Sequence, residues 1–225
     1  MTVFLFILFV AVVITIELLH RRKTEEVQEQ EPAPLHVESV SGVKVSKDLN
    51  YHPFHTWARR IDAQTAAVGI DDFGQRLVGK VDQIVLPVPG SRLHAGQACV
   101  KIISDGREIA LTAPMSGEVV EVNSELGINP DALRRDPYGN GWLFQVRDWR
   151  LIDQVATLIG GERTIDWMRS CVRRIVGAEP NLAGAVLQDG GQLVEDVPSC
   201  LDRYQWIEAV REHLGTEPIL RRSEN

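Results

Sequence analysis

Histidine, serine and cysteine are the side chains of this sequence whose chemistry could define a site, and each is used sparingly. His52 and His55 form an H-x-x-H spacing that brings two imidazoles to one metal ion only on a helix. Pro53 stands between them and disfavours a helix, so they read as packing or surface histidines and no metal site is expected. Ser116 lies in a Ser-Gly turn with no G-x-S-x-G frame and no placed histidine, which argues against nucleophilic catalysis. Cys99, Cys171 and Cys200 are odd in number, far apart and free of any CxxC. That pattern fits buried free thiols in a reducing compartment better than a zinc ribbon or a redox pair. With no Walker loop and no G-x-G-x-x-G, the expectation is a protein with no catalytic residue, no cofactor and no metal.

One charged cluster remains, Asp105, Gly106, Arg107 and Glu108. Before it Val100, Ile102 and Ser104 alternate with Lys101, Ile103 and Asp105, and after it Ile109 and Leu111 resume the same period of two. Asp105-Gly106 therefore predicts a two-residue hairpin turn, because an Asp-Gly pair readily takes positive φ. The tip reads either as solvated turn residues or as a docking point.

The elements around the hairpin predict a compact β-rich domain from Tyr51 onward. Thr65 to Ile70 reads as a strand, Asp71-Asp72 as a cap on a short helical turn through Phe73 and Leu77, and Lys80 to Leu86 as a strand ended by Pro87. Pro89-Gly90 and Ala95-Gly96 mark turns. Beyond the β-rich part, Leu151, Ile152, Val155, Leu158 and Ile159 share one helical face, and Ile165, Met168, Val172 and Ile175 another. A hairpin around Asp189-Gly190-Gly191 and a helix carrying Leu201, Tyr204, Ile207, Val210 and Leu214, closed by Gly215, complete the chain. Trp142, Trp149, Trp167 and Trp206 are expected in the core or between packed helices.

At 225 residues and 44% hydrophobic content the chain can bury a sizeable core, and its net charge of −7 argues against nucleic acid as a partner. Val3 to Leu19 is an apolar run broken only by Thr15 and Glu17, just long enough to span a bilayer. His20, Arg21, Arg22 and Lys23 flank one end alone, so the positive-inside rule places the N-terminus outside and the remainder in the cytoplasm. The membrane anchor, from Val3 and Phe4 to Leu19, Arg21 and Arg22, is followed by an acidic, proline-tipped tether from Thr24. Leu35 to Asn50 alternates valines with polar residues and suggests a short edge strand within that tether.

Several strings resemble one family. His55-Thr56-Trp57-Ala58-Arg59, Ala113-Pro114-Met115-Ser116-Gly117-Glu118-Val119 and Asp136-Pro137-Tyr138-Gly139-Asn140-Gly141-Trp142-Leu143, in this order, resemble the glycine cleavage system H protein, a lipoyl/biotinyl-carrier-type domain. The resemblance covers about Tyr51 to Val176. It implies a flattened lipoyl-type β-barrel of the barrel-sandwich hybrid kind with a helical tail (51–176); with the single transmembrane helix (1–23), the tether (24–50) and a small α/β extension (177–225) read from the residues, the expected fold is mainly β with helices.

In that family a lysine at the hairpin tip carries lipoate, and the resemblance puts Gly106 at its place. Arg107 is adjacent, but a guanidinium stays protonated and cannot be acylated. Lys101 lies within the strand and could stand in only through a register slip that turns every apolar side chain to the wrong face. Lipoylation at the usual position is therefore not expected. The expected function is non-enzymatic: an inner-membrane accessory subunit or scaffold whose partners are integral membrane subunits of a respiratory or photosynthetic assembly. The alternatives are a lipoyl carrier of one-carbon or sulfur metabolism modified at an atypical lysine, and a tethered module that recruits lipoate-handling enzymes.

Overall fold

The computed structural model describes residues 34–177, 187–188 and 192–220. The anchor run and residues 24–33 of the tether lie outside the described residues, as does Arg221-Arg222. Among the described residues no helix is long and apolar enough to cross a membrane.

Folding begins before Tyr51. Val37–Val40 (β1) and Val43–Ser46 (β2) form an antiparallel hairpin in which Val43 and Val45 have no exposed surface, and Leu49 is equally buried. This corrects the extent of the tether: Val40, Val43 and Val45 are taken into the core, while Lys44 between the last two faces out as strand alternation requires. Asn50–Tyr51 (β3), Thr56–Arg60 (β4) and Thr65–Ile70 (β5) follow. Asp72–Val78 (α1) has Asp71 as its N-cap, the carboxylate accepting from the Gly74 N–H.

Gln83–Val85 (β6), Arg92–Leu93 (β7), Ala98–Ser104 (β8), Arg107–Thr112 (β9) and Gly117–Val122 (β10) form the middle of the chain, followed by the one-turn helix Ala132–Arg135 (α2). Phe144–Arg147 (β11), Leu151–Ala156 (α3), Ile159–Gly160 (β12) and the long helix Arg163–Gly177 (α4) come next. The extension supplies Leu187–Gln188 (β13), Gln192–Leu193 (β14), Arg203–Leu214 (α5) and Ile219–Leu220 (β15).

Two antiparallel sheets face one core. A seven-stranded sheet runs β12-β3-β4-β5-β11-β10-β7, and a four-stranded sheet runs β15-β9-β8-β6. In β8, Val100, Ile102 and Ser104 point inward while Lys101 is exposed, the alternation expected of a half-buried strand. Trp57 anchors the larger sheet. Its indole N–H donates to the carbonyls of Ile70 at 3.0 Å and Pro137 at 3.1 Å, and Gly69 leaves the space its ring fills.

The Asp136–Leu143 string earns its composition here. The Asp136 carboxylate accepts from the N–H groups of Gly139 and Asn140, and Tyr138 donates to the Lys44 carbonyl at 2.6 Å, tying the loop to β2. Ser116 has a structural place as well: its hydroxyl accepts from the Ala95 N–H, and its backbone exchanges hydrogen bonds with the Gln154 amide of α3. Trp206 is buried and Trp142 and Trp167 pack against the core, whereas Trp149 is 77% exposed. That last position departs from the expectation because Trp149 falls in the turn entering α3 rather than on an inward face.

Gly69→Ala is expected to destabilise the fold by about 2–3 kcal/mol, because the added methyl overlaps an indole that two hydrogen bonds hold in place. The midpoint of urea unfolding against the unsubstituted chain measures it.

Candidate functional site

The hairpin tip is built as its sequence dictates. Ser104 pairs with Arg107, leaving Asp105 and Gly106 as the two turn residues at φ +49° and +70°, a type I′ geometry. A side chain added at Gly106 would meet nothing within 4 Å. The turn is braced from below: the Ser104 hydroxyl donates to the Val78 carbonyl at 3.1 Å, and the Asp105 N–H donates to the Asp82 carboxylate at 2.7 Å. Lys80, between those two bracing residues, is exposed.

The four tip residues differ in their surroundings. Asp105 and Gly106 are exposed, Arg107 is half-buried and Glu108 is buried. The Arg107 guanidinium lies 4.5 Å from the centre of the Trp206 ring and 3.3 Å from the Asp105 carboxylate. Glu108 pairs with Lys101 at 2.8 Å across the hairpin. The extension closes the outer edge of β9, with Ile219 opposite Glu108 and Leu220 opposite Arg107. Trp206 itself is fixed by its indole N–H, which donates to the Leu77 carbonyl at 2.9 Å. Of the expected docking residues, Asp105 and Gly106 thus face solvent, and the other two are engaged by their own chain.

A second group of side chains, which the sequence reading did not bring together, lies in the interior. His55 precedes β4 at φ +61°, unusual for a residue with a side chain, and both it and Asp71 have fully buried side chains. Its Nδ1 is 2.8 Å from an Asp71 carboxylate oxygen, and its ring lies between those of Phe73 and Trp167, at centroid distances of 4.4 and 4.8 Å. Cys171 of α4 and His213 of α5 complete the group.

Nε2 of His55 and both ring nitrogens of His213 have no hydrogen-bond partner. A buried polar group left unpaired costs about 1–3 kcal/mol. The two rings are driven apart in basicity. Burial opposes charging His55, but the Asp71 carboxylate overrides it and the ring is pushed up to about 9. Burial, then the charges of His55 and Arg174, push His213 down to about 3. His52 takes no part and is half-buried, its Nδ1 accepting from the Phe54 N–H.

A polar cleft of about 370 Å³ opens beside α1, lined by Lys44, Asp72, Gln75, Arg76, Asp131, Arg134, Arg135 and Glu195. Four cationic and three acidic side chains line it; of these, Arg76 pairs with Asp72 at 3.1 Å and donates to the carbonyls of Leu193 and Gly42.

Two facing antiparallel sheets with a tight hairpin at an open apex define a carrier-type domain, here with no amine at the apex. The family model of the glycine cleavage H-protein matches residues 49–169, and the chain belongs to that family. The probable glycine cleavage system H protein of Pyrococcus abyssi is 31% identical over 131 residues, covering 58% of this chain and 97% of that protein. The glycine cleavage system H protein of Beutenbergia cavernae is 40% identical over 104 residues, covering 46% of this chain and 83% of that protein. Among solved structures, that of a glycine cleavage system H protein from Mycobacterium marinum aligns at 30% identity and a TM-score of 0.43, over 46% of this chain and 85% of that one. The matched span contains His55 and Gly106 and stops short of Cys171 and His213.

Cysteine and histidine on helix faces dominated by apolar residues read as core filling, which is why these two gave no signal in sequence. Cys99 differs from Cys171 in that its thiol donates to the Leu111 carbonyl at 3.4 Å. Burial pushes it up to about 12. Its alkylation at pH 8 is expected to run about a thousandfold slower than that of an ordinary exposed thiol, and to accelerate only as pH approaches 12. Mass-spectrometric mapping of iodoacetamide adducts over time reads this directly. Trp206→Ala is expected to cost about 3–5 kcal/mol and to speed hydrogen exchange along the outer edge of β9, measured by exchange mass spectrometry.

Proposed function

We propose that this protein is a non-enzymatic member of the H-protein family that works through its surfaces, as an accessory subunit or scaffold of a membrane assembly. The observation that carries this reading is the apex of the hairpin. Gly106 occupies the place where the family resemblance calls for the arm-bearing lysine, in a backbone conformation that favours glycine and in open space. Arg107 cannot replace the amine and is held against Trp206. The run from Val3 to Leu19 anchors the chain in the inner membrane with the domain on the cytoplasmic side, and the host is a larger respiratory or photosynthetic complex.

A second reading has more direct support from the comparisons, since the relatives named above are themselves glycine cleavage system H proteins. In it the chain is a lipoyl carrier of one-carbon or sulfur metabolism whose arm sits on an atypical lysine. Lys80 is the residue that favours it: exposed, and set between the residues that brace the turn.

Intact mass of the natively expressed protein separates the two. The scaffold reading expects the unmodified mass and co-purifying membrane subunits from mild detergent. A lipoyl adduct mapped to Lys80 establishes the carrier, and a lone unmodified monomer with no partner overturns the scaffold. Gly106→Lys tests the inherited surface, with lipoylation by a lipoate ligase expected if the domain still offers the recognised shape.

A further inference from the structure

We propose that His55, Cys171 and His213 bind one divalent transition-metal ion of zinc's class, and that this ion staples the C-terminal extension to the carrier domain. The inference stands apart from either functional reading and needs neither the anchor nor the arm.

The three donors come from three elements: the segment entering β4, the middle of α4 and the last turn of α5. Their ligating atoms lie within 4.8 Å of one another, and all three residues are buried. Around a tetrahedral zinc ion, with bonds of about 2.0–2.3 Å, donor atoms stand about 3.3–3.7 Å apart, so closure by about 1 Å completes the set. Two imidazoles and one thiolate form a donor set of borderline softness suited to zinc.

Three details go beyond proximity. First, the Asp71 carboxylate accepts from His55 Nδ1–H, which leaves Nε2, directed away from it, to release its proton and take the ion; that atom is the unpartnered one. A carboxylate behind a histidine is the usual outer support of a metal-bound imidazole. Second, both nitrogens of His213 are without partners at 1% exposure. A hydrogen bond between Cys171 and His55 would leave both of them bare, whereas an ion takes one of the two and engages both rings and the thiol together.

Third, the charges balance. The dication and the Cys171 thiolate leave one positive charge, which Asp71 compensates. Arg174, which donates to Cys171 Sγ at 3.3 Å, has its own counter-charge in Glu212 at 3.2 Å. Phe73 and Trp167 close over the His55 ring and limit the access of water. The fourth coordination position is left to water or a small exogenous donor.

The consequence for the fold is specific. His213 lies in the helix that places Trp206 under Arg107 and is followed by the strand that covers the edge of β9. An ion at this point holds that cover in place.

Metal analysis of the full chain, purified without chelator and dialysed against metal-free buffer, is expected to find about one zinc per chain. Cys171→Ser and His213→Gln are each expected to lose it, and His52→Gln to keep it. A Cys99→Ser/Cys200→Ser chain, in which Cys171 is the only cysteine, serves should either site variant fail to fold. After chelation and addition of cobalt(II), it is expected to show thiolate-to-cobalt charge-transfer absorption. Failure of that chain and of the unsubstituted one to take up zinc or cobalt in stoichiometric amount overturns the proposal, as does binding that survives both site substitutions.

Discussion

A carboxylate shut away from water must find all its partners inside the protein, and Asp71 organises the domain around that need. One of its oxygens accepts from the Gly74 N–H at 2.7 Å and starts helix α1; the other lies 2.8 Å from Nδ1 of His55. Its own backbone N–H donates to the His55 carbonyl at 2.9 Å. One residue thereby joins the end of β5, the start of α1 and the chain entering β4. Removing any of these partners leaves a charge in a low-dielectric interior, so the three segments are coupled more tightly than apolar packing alone would make them.

From that point the coupling spreads outward through rings. His55 lies against Trp167 of α4 and Phe73 of α1, and Phe73 meets His213 of α5 edge-on at 5.0 Å. The helical tail and the extension are therefore seated on the same buried polar centre. The extension also reaches the hairpin, where Trp206 supports Arg107 and Ile219–Leu220 pairs with β9. A sheet edge left bare invites pairing with other chains; here the molecule supplies its own cover, leaving the turn Asp105-Gly106 as the exposed part of the hairpin.

Much of this architecture was legible in the residues. Period-two alternation located the two long hairpin strands, and Asp105-Gly106 located the turn between them, because both signals depend on near neighbours. Asp71 as a helix cap and Gly215 as a helix stop, at φ +65°, were equally readable, since capping is settled within one turn of chain. The string from Asp136 to Leu143 carried the family, and the match over residues 49–169 agrees with it. Less legible were β1 and β2. Two four-residue strands rich in valine look alike whether they cover a core or trail in solvent, and only their burial distinguishes the two.

Sequence alone determined that this chain contains an H-protein-type hairpin with Asp105-Gly106 at its turn, because turn geometry is a property of adjacent residues. The tertiary structure alone decided which side chains share the interior. His55, Cys171 and His213 are separated by most of the domain along the chain, and nothing local distinguishes them from core filling. Proximity over such separations comes from packing helices against sheets, and it is known only once those layers are in place.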